Sequence, residues 1–340
     1  MFNRILPATA LAMAYLCLLP QARAADADLV AKAEREGKVL WYSSLLEKEA
    51  VKPLIDAFSA EYPKIKAEYI RSTGADMAKR IIADHQSGSA VADVYDGSTT
   101  VAEIAPAGLI QPYLPAAARN IPQTYWDPQN LWTAQVVYFT TVGYNTDLVS
   151  KEEAPSNYAD LLDPKWKGKI GWATNGTASG VGFVGNVLDQ MGSEEGMAYL
   201  KKLATQNIQF IKGGGNETLQ AVADRQILIG LSIFNHHTLI QKKKGGRVEW
   251  VKMEPLLSFP NPIGLLKDAP HPNAGKLLIE FILSEEGQKI LRDSDHIPSS
   301  DLVDATDPSV KHGFKVNFLG PQRLEKEQDG WKKIVVDVFR

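Results

Sequence analysis

Apolar residues recur along this chain in two alternating patterns, one with the helical period and one typical of strands. Residues 27–36 have a helical pattern that stops at Gly37, and residues 38–43 have the composition of a strand. The next segment predicts an amphipathic helix that ends before Pro63, because its apolar residues recur at i, i+3, i+4 and i+7; they are Val51, Leu54, Ile55 and Phe58. This alternation predicts an α/β fold with a mostly parallel sheet flanked by helices.

The same rhythm continues along the chain. Further strands are predicted near 65–69, 91–95, 169–173, 208–211, 226–232 and 248–252. Further helices are predicted near 75–87, before Gly108, near 181–191, from Ser193, from Asn216, and near 236–245, 272–283, 285–292 and 323–333. Residues 109–135 are irregular, whereas 135–144 are rich in strand-forming residues and are a candidate crossing between two lobes.

The first 24 residues have the layout of a secretory leader. A positive charge at Arg4 precedes an apolar stretch from Ile5 to Leu19, and the small residues Ala22 and Ala24 form a cleavage site. We therefore expect an exported chain that is cleaved after Ala24. The alternative of an uncleaved membrane anchor is disfavoured, because the apolar stretch is too short to span a bilayer well.

Length, charge and cysteine content narrow the function further. The 340 residues, less a 24-residue leader, are long for one core and suit two lobes. Removing the two leader arginines from 37 basic residues leaves 35 against 40 acidic residues, which argues against a nucleic-acid binder. Cys17, the only cysteine, lies in the leader, so the mature chain has neither a disulfide nor a thiol nucleophile. Cys17 could otherwise mark lipid attachment, although the residues before it, Ala14-Tyr15-Leu16, fit poorly because small residues are expected next to a lipidated cysteine.

Five loops that follow predicted strands are rich in hydrogen-bond donors. Ligands of parallel sheets bind beyond the carboxyl ends of the strands, where the next helix begins and presents free amides. The loops are Ser43-Ser44, Gly97 to Thr100, Thr174 to Gly180, Lys212 to Asn216, and Phe234 to His237. In any one loop a Ser or Thr is most often a helix N-cap. Together the five loops predict an anion-binding cleft.

The adjacent pair His236-His237 is the most distinctive local feature, and three interpretations of its function are possible. The pair could ligate a metal, bind an anion when protonated, or be structural. Neighbouring helical residues diverge by about 100°, so both side chains rarely reach one metal. The chain has no HExxH zinc motif, no GxSxG elbow and no complete phosphate-binding or dinucleotide-binding glycine motif. An exported enzyme is disfavoured, since Asp96 and Glu217, which border two of the five loops, are the only acids at these junctions.

Several stretches in fixed order resemble one family. They are Trp41 to Ser44, Ala92 to Val94, Gly143 to Leu148, Tyr158 to Ile170, Leu266 to Gly275, and Ser284 to Gln288. Over residues 27–305 the chain resembles the periplasmic solute-binding proteins of ABC importers, close to the ferric-iron-binding type.

The resemblance implies two α/β lobes of the type II arrangement, joined by a hinge of two crossing strands. Lobe 1 would comprise 25–138 and 255–305, and lobe 2 would comprise 139–254 and 306–340. It also implies a periplasmic monomer without catalytic activity or a resident cofactor. Its partners would be a small-molecule ligand, a membrane permease and a cytoplasmic ATPase, with no nucleic acid.

The iron ligands of the family match this chain poorly, whereas its anion site matches well. Iron-binding members place two tyrosines where His236 and His237 stand, and many place a histidine where Leu45 and Leu46 stand. Ferric ion prefers phenolate and carboxylate oxygen, for which imidazole is a poor substitute. The family's loop-to-helix anion cradle is matched by Ser179, Gly180, Val181 and Asn216.

These observations favour capture of a small solute that bears an oxyanion, such as a phosphonate, a phosphate ester or a carboxylate. From lobe 1 the expected contacts are Ser43, Ser44, Ser98 and Thr99. From lobe 2 they are Thr177, Ser179, Gly180, Val181, Asn216, His236 and His237, with the histidines supplying positive charge. The alternative is a protein that binds ferric iron or another transition ion through His236, His237 and a synergistic anion. No metal ligand is assigned in the first hypothesis.

Overall fold

Two long antiparallel strands at the centre of one sheet organise the fold. The structure is a computed structural model that describes residues 26–44, 48–174 and 178–340. Its strands are β1 (Lys38–Ser43), β2 (Lys66–Arg71), β3 (Val94–Asp96), β4 (Ile110–Gln111), β5 (Thr133–Asn145), β6 (Ile170–Trp172), β7 (Gln209–Phe210), β8 (Ile229–Phe234), β9 (Val248–Val251), β10 (Leu256–Leu266) and β11 (Val316–Phe318). The long central pair is β5 and β10, which the sequence resemblance had predicted as a two-strand hinge.

Eleven α-helices lie in the described part of the chain. They are α1 (Ala27–Glu36), α2 (Lys48–Glu61), α3 (Gly74–Gln86), α4 (Ser98–Ile104), α5 (Ala178–Met191), α6 (Ser193–Ala204), α7 (Gly215–Ala223), α8 (His237–Lys243), α9 (Pro272–Leu283), α10 (Glu285–Asp293) and α11 (Pro321–Phe339). Among the described residues, none of the helices combines the length and the apolar character needed to cross a bilayer. The predicted leader, residues 1–24, lies outside the described residues.

The sheet has two parallel halves on either side of the central pair. Its strand order is β2-β1-β3-β10-β5-β8-β6-β7, with β4 and β11 on β10 and β9 on β5. Strands β2, β1 and β3 are parallel to one another, and so are β8, β6 and β7. The pairs β3–β10, β10–β5 and β5–β8 are antiparallel. This mixed sheet with helices confirms the predicted α/β class.

The register of the central pair makes the two parallel halves point toward each other. Asp96, the last residue of β3, pairs with Ile263 of β10, and β3 runs toward the middle of that strand. Phe234, the last residue of β8, pairs with Thr140 of β5, and β8 runs toward the middle from the other end. Tyr138 of β5 pairs with Phe259 of β10 between these two points. The carboxyl ends of both halves therefore meet at the centre of the hinge.

One apolar core supports both halves of the sheet. Its fully buried members include Trp41, Phe58 and Leu277 on the β1 side, and Trp172, Leu200 and Leu231 on the β8 side. Burial of such side chains stabilises a fold by about 1.5–3 kcal/mol each. The C-terminal helix α11 packs on α5. A Cβ at Gly185 of α5 would lie 2.4 Å from Cζ2 of Trp331, so this helix contact requires glycine.

The structure differs most from the sequence prediction at β10. The sequence pattern did not mark a strand there, because Pro260 and Pro262 are unusual in a central strand, where they cannot donate to the ladder. A register shift falls between Asn261 and Pro262, and it accommodates the second proline. Strand β8 also extends to Phe234, two residues beyond the predicted strand.

Candidate functional site

Backbone hydrogen bonds attach the two sets of strand ends to the middle of the hinge. On the β3 side, the amide of Gly97 donates to the carbonyl of Pro262 at 2.9 Å, and the hydroxyl of Ser98 donates to the carbonyl of Pro260 at 2.6 Å. On the β8 side, the amide of Asn235 donates to the carbonyl of Phe139 at 3.1 Å. Two loops from opposite halves of the sheet thus border the same few residues of β5 and β10.

The predicted site residues Ser43 and Ser44 are buried and bind Asp96. The hydroxyl of Ser43 donates to Oδ2 of Asp96 at 2.6 Å, and the amide of Ser44 donates to Oδ1 at 2.6 Å. The hydroxyl of Ser44 lies 2.8 Å from the Asp96 carbonyl and 2.9 Å from Oδ1. In this arrangement the two serine hydroxyls hold the ends of β1 and β3 together. Sequence reasoning missed this function of Asp96, because nothing local shows that two loops share one carboxylate.

The remaining predicted residues of this half lie next to the same junction. Ser98 is buried and begins α4, while its hydroxyl is committed to Pro260. Thr99 is half-buried, and a Cβ on Gly74 would lie 2.9 Å from the Cβ of Thr99. The structure therefore brings Ser43, Ser44, Ser98 and Thr99 together, and their contact with a ligand stays a prediction.

On the opposite side, rings from four elements form one cluster around His236. Its ring stacks on Tyr138 at 5.3 Å between centroids and lies 4.4 Å from the ring of His237 and 6.1 Å from that of His296. Phe234 and Phe259 complete the cluster. We call these six residues the hinge ring cluster. It places the predicted pair of histidines against both strands of the hinge.

The two predicted histidines are neutral, contrary to the expectation that they supply positive charge. Burial, followed by the neighbouring imidazoles of His237 and His296, lowers the pKa of His236 well below its usual 6.5. Burial, followed by His296 and Lys244, lowers the pKa of His237 to about 3. The expectation was wrong because solvent exclusion, which depends on the tertiary fold, disfavours the charged form. A neutral imidazole instead offers one donor and one acceptor.

Several buried polar atoms at the hinge have no hydrogen-bond partner in the described structure. They include both ring nitrogens of His236 and Nδ1 of His237. Buried polar groups are usually satisfied, so such atoms call for an explanation. A bound ligand would supply such partners.

The predicted anion cradle of α5 is described in part. Ser179, Gly180 and Val181 are buried in the first turn of the helix, and the carbonyl of Gly180 accepts a 3.1 Å hydrogen bond from Nε1 of Trp172. Thr177 lies outside the described residues. Helix α5 is 14 residues long, so the positive end of its dipole lies at this first turn. This is suitable for an oxyanion.

Asn216 is exposed in the first turn of α7, near the end of β8. The position of this helix depends on Gly215. A Cβ there would lie 2.6 Å from the carbonyl oxygen of Ser232, so only glycine allows the helix to approach the strand this closely. Asn216 therefore lies beside the predicted cleft, and its contact with an anion stays a prediction.

Sequence reasoning also missed Asn261, which lies at the centre of the hinge. This residue is fully buried, and neither Oδ1 nor Nδ2 of its carboxamide has a hydrogen-bond partner within 26–44, 48–174 and 178–340. The only signal in the sequence is the run Pro260-Asn261-Pro262, in which an amide side chain is held between two residues without amide hydrogens.

A pocket of about 280 Å³ lies beside the hinge on the β8 side. Its lining includes Thr140, Ser232 and Leu257. None of the predicted site residues lines this pocket. It borders the hinge on the side where β8 and α5 lie.

The described side chains do not form a ready metal site. Within 26–44, 48–174 and 178–340, no group of three or more His, Cys, Asp or Glu side chains is arranged to hold a metal ion. His236 and His237 are two nitrogen ligands without an acidic partner in the hinge ring cluster. This donor set matches a hard ferric ion poorly.

Known proteins resemble this chain in sequence and in fold. The chain matches bacterial extracellular solute-binding proteins over residues 91–327, more than two thirds of its length. A Salmonella paratyphi A protein, named for the binding of 2-aminoethylphosphonate in the periplasm, is 27% identical over 230 residues. The aligned stretch spans 65% of this chain and 65% of the length of that relative.

Solved structures share the two-lobed fold. Iron-bound HitA from Pseudomonas aeruginosa superposes with a TM-score of 0.75 at 22% identity, covering 88% of this chain and 99% of that one. The periplasmic binding protein AfuA from Actinobacillus pleuropneumoniae, with fructose-6-phosphate bound, superposes with a TM-score of 0.72 at 22% identity, covering 89% and 98%. The predicted type II fold is thereby confirmed. The chain belongs to the bacterial extracellular solute-binding proteins.

Proposed function

We propose that this protein is the periplasmic component of an ABC importer and captures a small organic solute with an oxyanion head group. Phosphonates, phosphate esters and carboxylates are the candidate ligands. The observation on which the proposal depends is the convergence of opposing strand ends and unpartnered buried polar atoms on one hinge. The names of a phosphonate-binding relative and of a sugar-phosphate-bound neighbour support it.

The chemistry of the site assigns separate tasks to its parts. Ser179, Gly180 and Val181 would contact the oxyanion, with the hydroxyl of Ser179 as a donor, because the start of a long helix compensates negative charge. The neutral imidazoles of His236 and His237 would then bind as hydrogen-bond partners. Contacts from both lobes would stabilise the closed form, since a ligand shifts the equilibrium by its differential affinity.

Export and transport partners complete the proposal. A leader cleaved after Ala24 would deliver a monomer to the periplasm, where it would dock on a membrane permease driven by an ATPase. Binding would be stoichiometric. The solute would be released to the permease unchanged, because the site needs no nucleophile or general base for this task.

Native mass spectrometry of freshly purified protein, followed by calorimetry, tests the proposal. The calorimetric panel comprises 2-aminoethylphosphonate, fructose-6-phosphate, inorganic phosphate and citrate. We expect Ser179→Ala to weaken binding about tenfold, in line with the loss of a hydrogen bond to a charged group. Ser193→Ala is the matched control, because Ser193 is an exposed serine at the start of another helix. Failure of every oxyanion to bind at millimolar concentration would contradict the proposal.

A transition ion is the second candidate, supported by one observation. The imidazoles of His236 and His237 are neutral and adjacent, and neutral imidazole is the form that binds metals. With a synergistic anion on α5, the pair would bind a softer ion than ferric iron. Elemental analysis and the visible spectrum of the purified protein distinguish the candidates. A coloured protein with one metal per chain would favour the ion.

A further inference from the structure

The hinge contains a buried carboxamide that makes no hydrogen bond to any of the residues described by the structure. Asn261 on β10 is 0% exposed, and both Oδ1 and Nδ2 lack partners. The missing bonds do not depend on which amide atom is oxygen, because both atoms are unpartnered. Leaving such a group unsatisfied destabilises the folded state, so an apolar residue would give a more stable protein here.

The position of Asn261 indicates which groups could form hydrogen bonds with its carboxamide. Its neighbours Pro260 and Pro262 accept the hydrogen bonds that attach the β3 end to the hinge, from Ser98 at 2.6 Å and from Gly97 at 2.9 Å. Asn261 thus lies at the same point of β10 that the lobe 1 loop reaches.

The alternation of side chains along β10 places Asn261 on the same side of the sheet as the predicted histidines. Side chains two residues apart on a strand share a face, so Asn261 lies on the face of Phe259. Phe259 pairs with Tyr138, and Tyr138 stacks on His236. Asn261 therefore lies between the lobe 1 loop and the lobe 2 histidines, where a solute held by both lobes would be.

The two halves of a carboxamide require different groups from a ligand. The Nδ2 group donates and suits an oxygen of an oxyanion, whereas Oδ1 accepts and needs a donor such as an amino or hydroxyl group. A simple oxyanion would leave Oδ1 unsatisfied. A solute with an oxyanion and a neighbouring donor would satisfy both atoms.

We propose that Asn261 contacts the solute and selects molecules that carry an amino or hydroxyl donor beside the oxyanion. This inference rests on the proposed function and identifies the ligand class more narrowly. It makes Asn261 a specificity-determining residue that is maintained at a cost to stability.

The test compares Asn261→Leu with Asn145→Leu in two measurements. Asn145, at the far end of β5, is also fully buried, but its Nδ2 donates to the carbonyl of Val222 and its Oδ1 accepts from the amide of Asp147. The first measurement is the melting temperature of ligand-free protein. We expect Asn261→Leu to raise it and Asn145→Leu to lower it, because only Asn145 has partners to lose.

The second measurement is the affinity for 2-aminoethylphosphonate and for ethylphosphonate, which lacks the amino group. We expect the unmodified protein and Asn145→Leu to prefer the amino compound by at least about tenfold. Asn261→Leu should reduce that preference to less than about threefold.

The outcomes distinguish this inference from the proposed function. A lower melting temperature for Asn261→Leu would show that the carboxamide has a structural partner and would overturn the inference. An unchanged preference between the two phosphonates would also overturn it. If neither phosphonate binds the unmodified protein but Asn261→Leu melts higher, the phosphonate assignment fails and a site at Asn261 remains supported.

Discussion

The backbone amide of Ser44 donates a 2.6 Å hydrogen bond to the carboxylate of Asp96, across the ends of two neighbouring strands. The hydroxyl of Ser43 donates to the other carboxylate oxygen at 2.6 Å. Asp96 is fully buried, so these are charge-assisted bonds in a low-dielectric setting. The carboxylate thus fixes the geometry of the loops that follow β1 and β3.

Replacing this carboxylate should destabilise the protein. We expect Asp96→Asn to lower the free energy of unfolding by about 2–4 kcal/mol, because an amide cannot accept from every donor that now faces the carboxylate. Urea unfolding measures the change. Asp56→Asn is the control, since Asp56 pairs with Lys52 at the surface and should change stability by less than about 0.5 kcal/mol. Similar losses in the two variants would contradict this role for Asp96.

Gly97 allows the loops that follow β1 and β3 to approach each other. It has a φ of +102°, and a Cβ there would lie 1.9 Å from the Oγ of Ser44. We expect Gly97→Ala to lower the free energy of unfolding by at least about 3 kcal/mol, from strain and displacement of Ser44 together. Gly88→Ala is the matched control, because Gly88 has a φ of +64° and nothing within 4 Å of the added Cβ. Gly88→Ala should lower the free energy of unfolding by about 1 kcal/mol. Equal losses in urea unfolding would refute the steric part of the argument.

Local signals were sufficient to predict most elements of the fold. The predicted helix over 27–36 is confirmed as α1, and Gly37 adopts a φ of 67° at its end. The predicted strand over 38–43 is confirmed as β1. Such elements are marked by periodicity and by end residues that lie within a few positions of one another.

The features that escaped prediction depend on contacts between distant segments. The pattern did not reveal β10, because Pro260 and Pro262 break it and pairing with β5 restores the strand. The Ser43 and Ser44 hydroxyls donate to Asp96, which is more than 50 residues away along the chain. The charge state of His236 depends on burial. No local pattern encodes any of these.

The neutral histidines should make stability depend on pH. Both His236 and His237 have pKa values lowered by burial, to about 3 for His237. Below pH 6.5 the unfolded chain takes up protons at these positions and the folded chain does not. The free energy of unfolding is therefore highest above pH 6.5 and falls as the pH is lowered toward the folded pKa values. The expected contribution is about 1.4 kcal/mol per pH unit for each histidine.

Replacing the two histidines separates their contribution to the pH dependence of stability from that of the carboxylates. The double variant His236→Gln, His237→Gln should lose stability less steeply than the unmodified protein between pH 7.5 and pH 5.0, as measured by urea unfolding at fixed ionic strength. His296 and Lys244 face the pair and remain in both proteins. His312→Gln is the control, because His312 is exposed and pairs with Asp304. A double variant with the slope of the unmodified protein would show that these histidines are protonated in the folded state.

Helix α11 joins parts of the chain on both sides of the hinge strands. Nε2 of Gln322 donates to Asp127 at 2.5 Å, in the predicted lobe 1, while Arg323 donates to Asp189 of α5 at 2.7 Å. The helix also contacts α4. We expect Gln322→Ala to favour the open form and to increase the radius of gyration of the ligand-free protein in small-angle X-ray scattering. Arg323→Gln removes a contact within one lobe and should leave this radius unchanged, so equal radii in the two variants would argue against a restraint between the lobes.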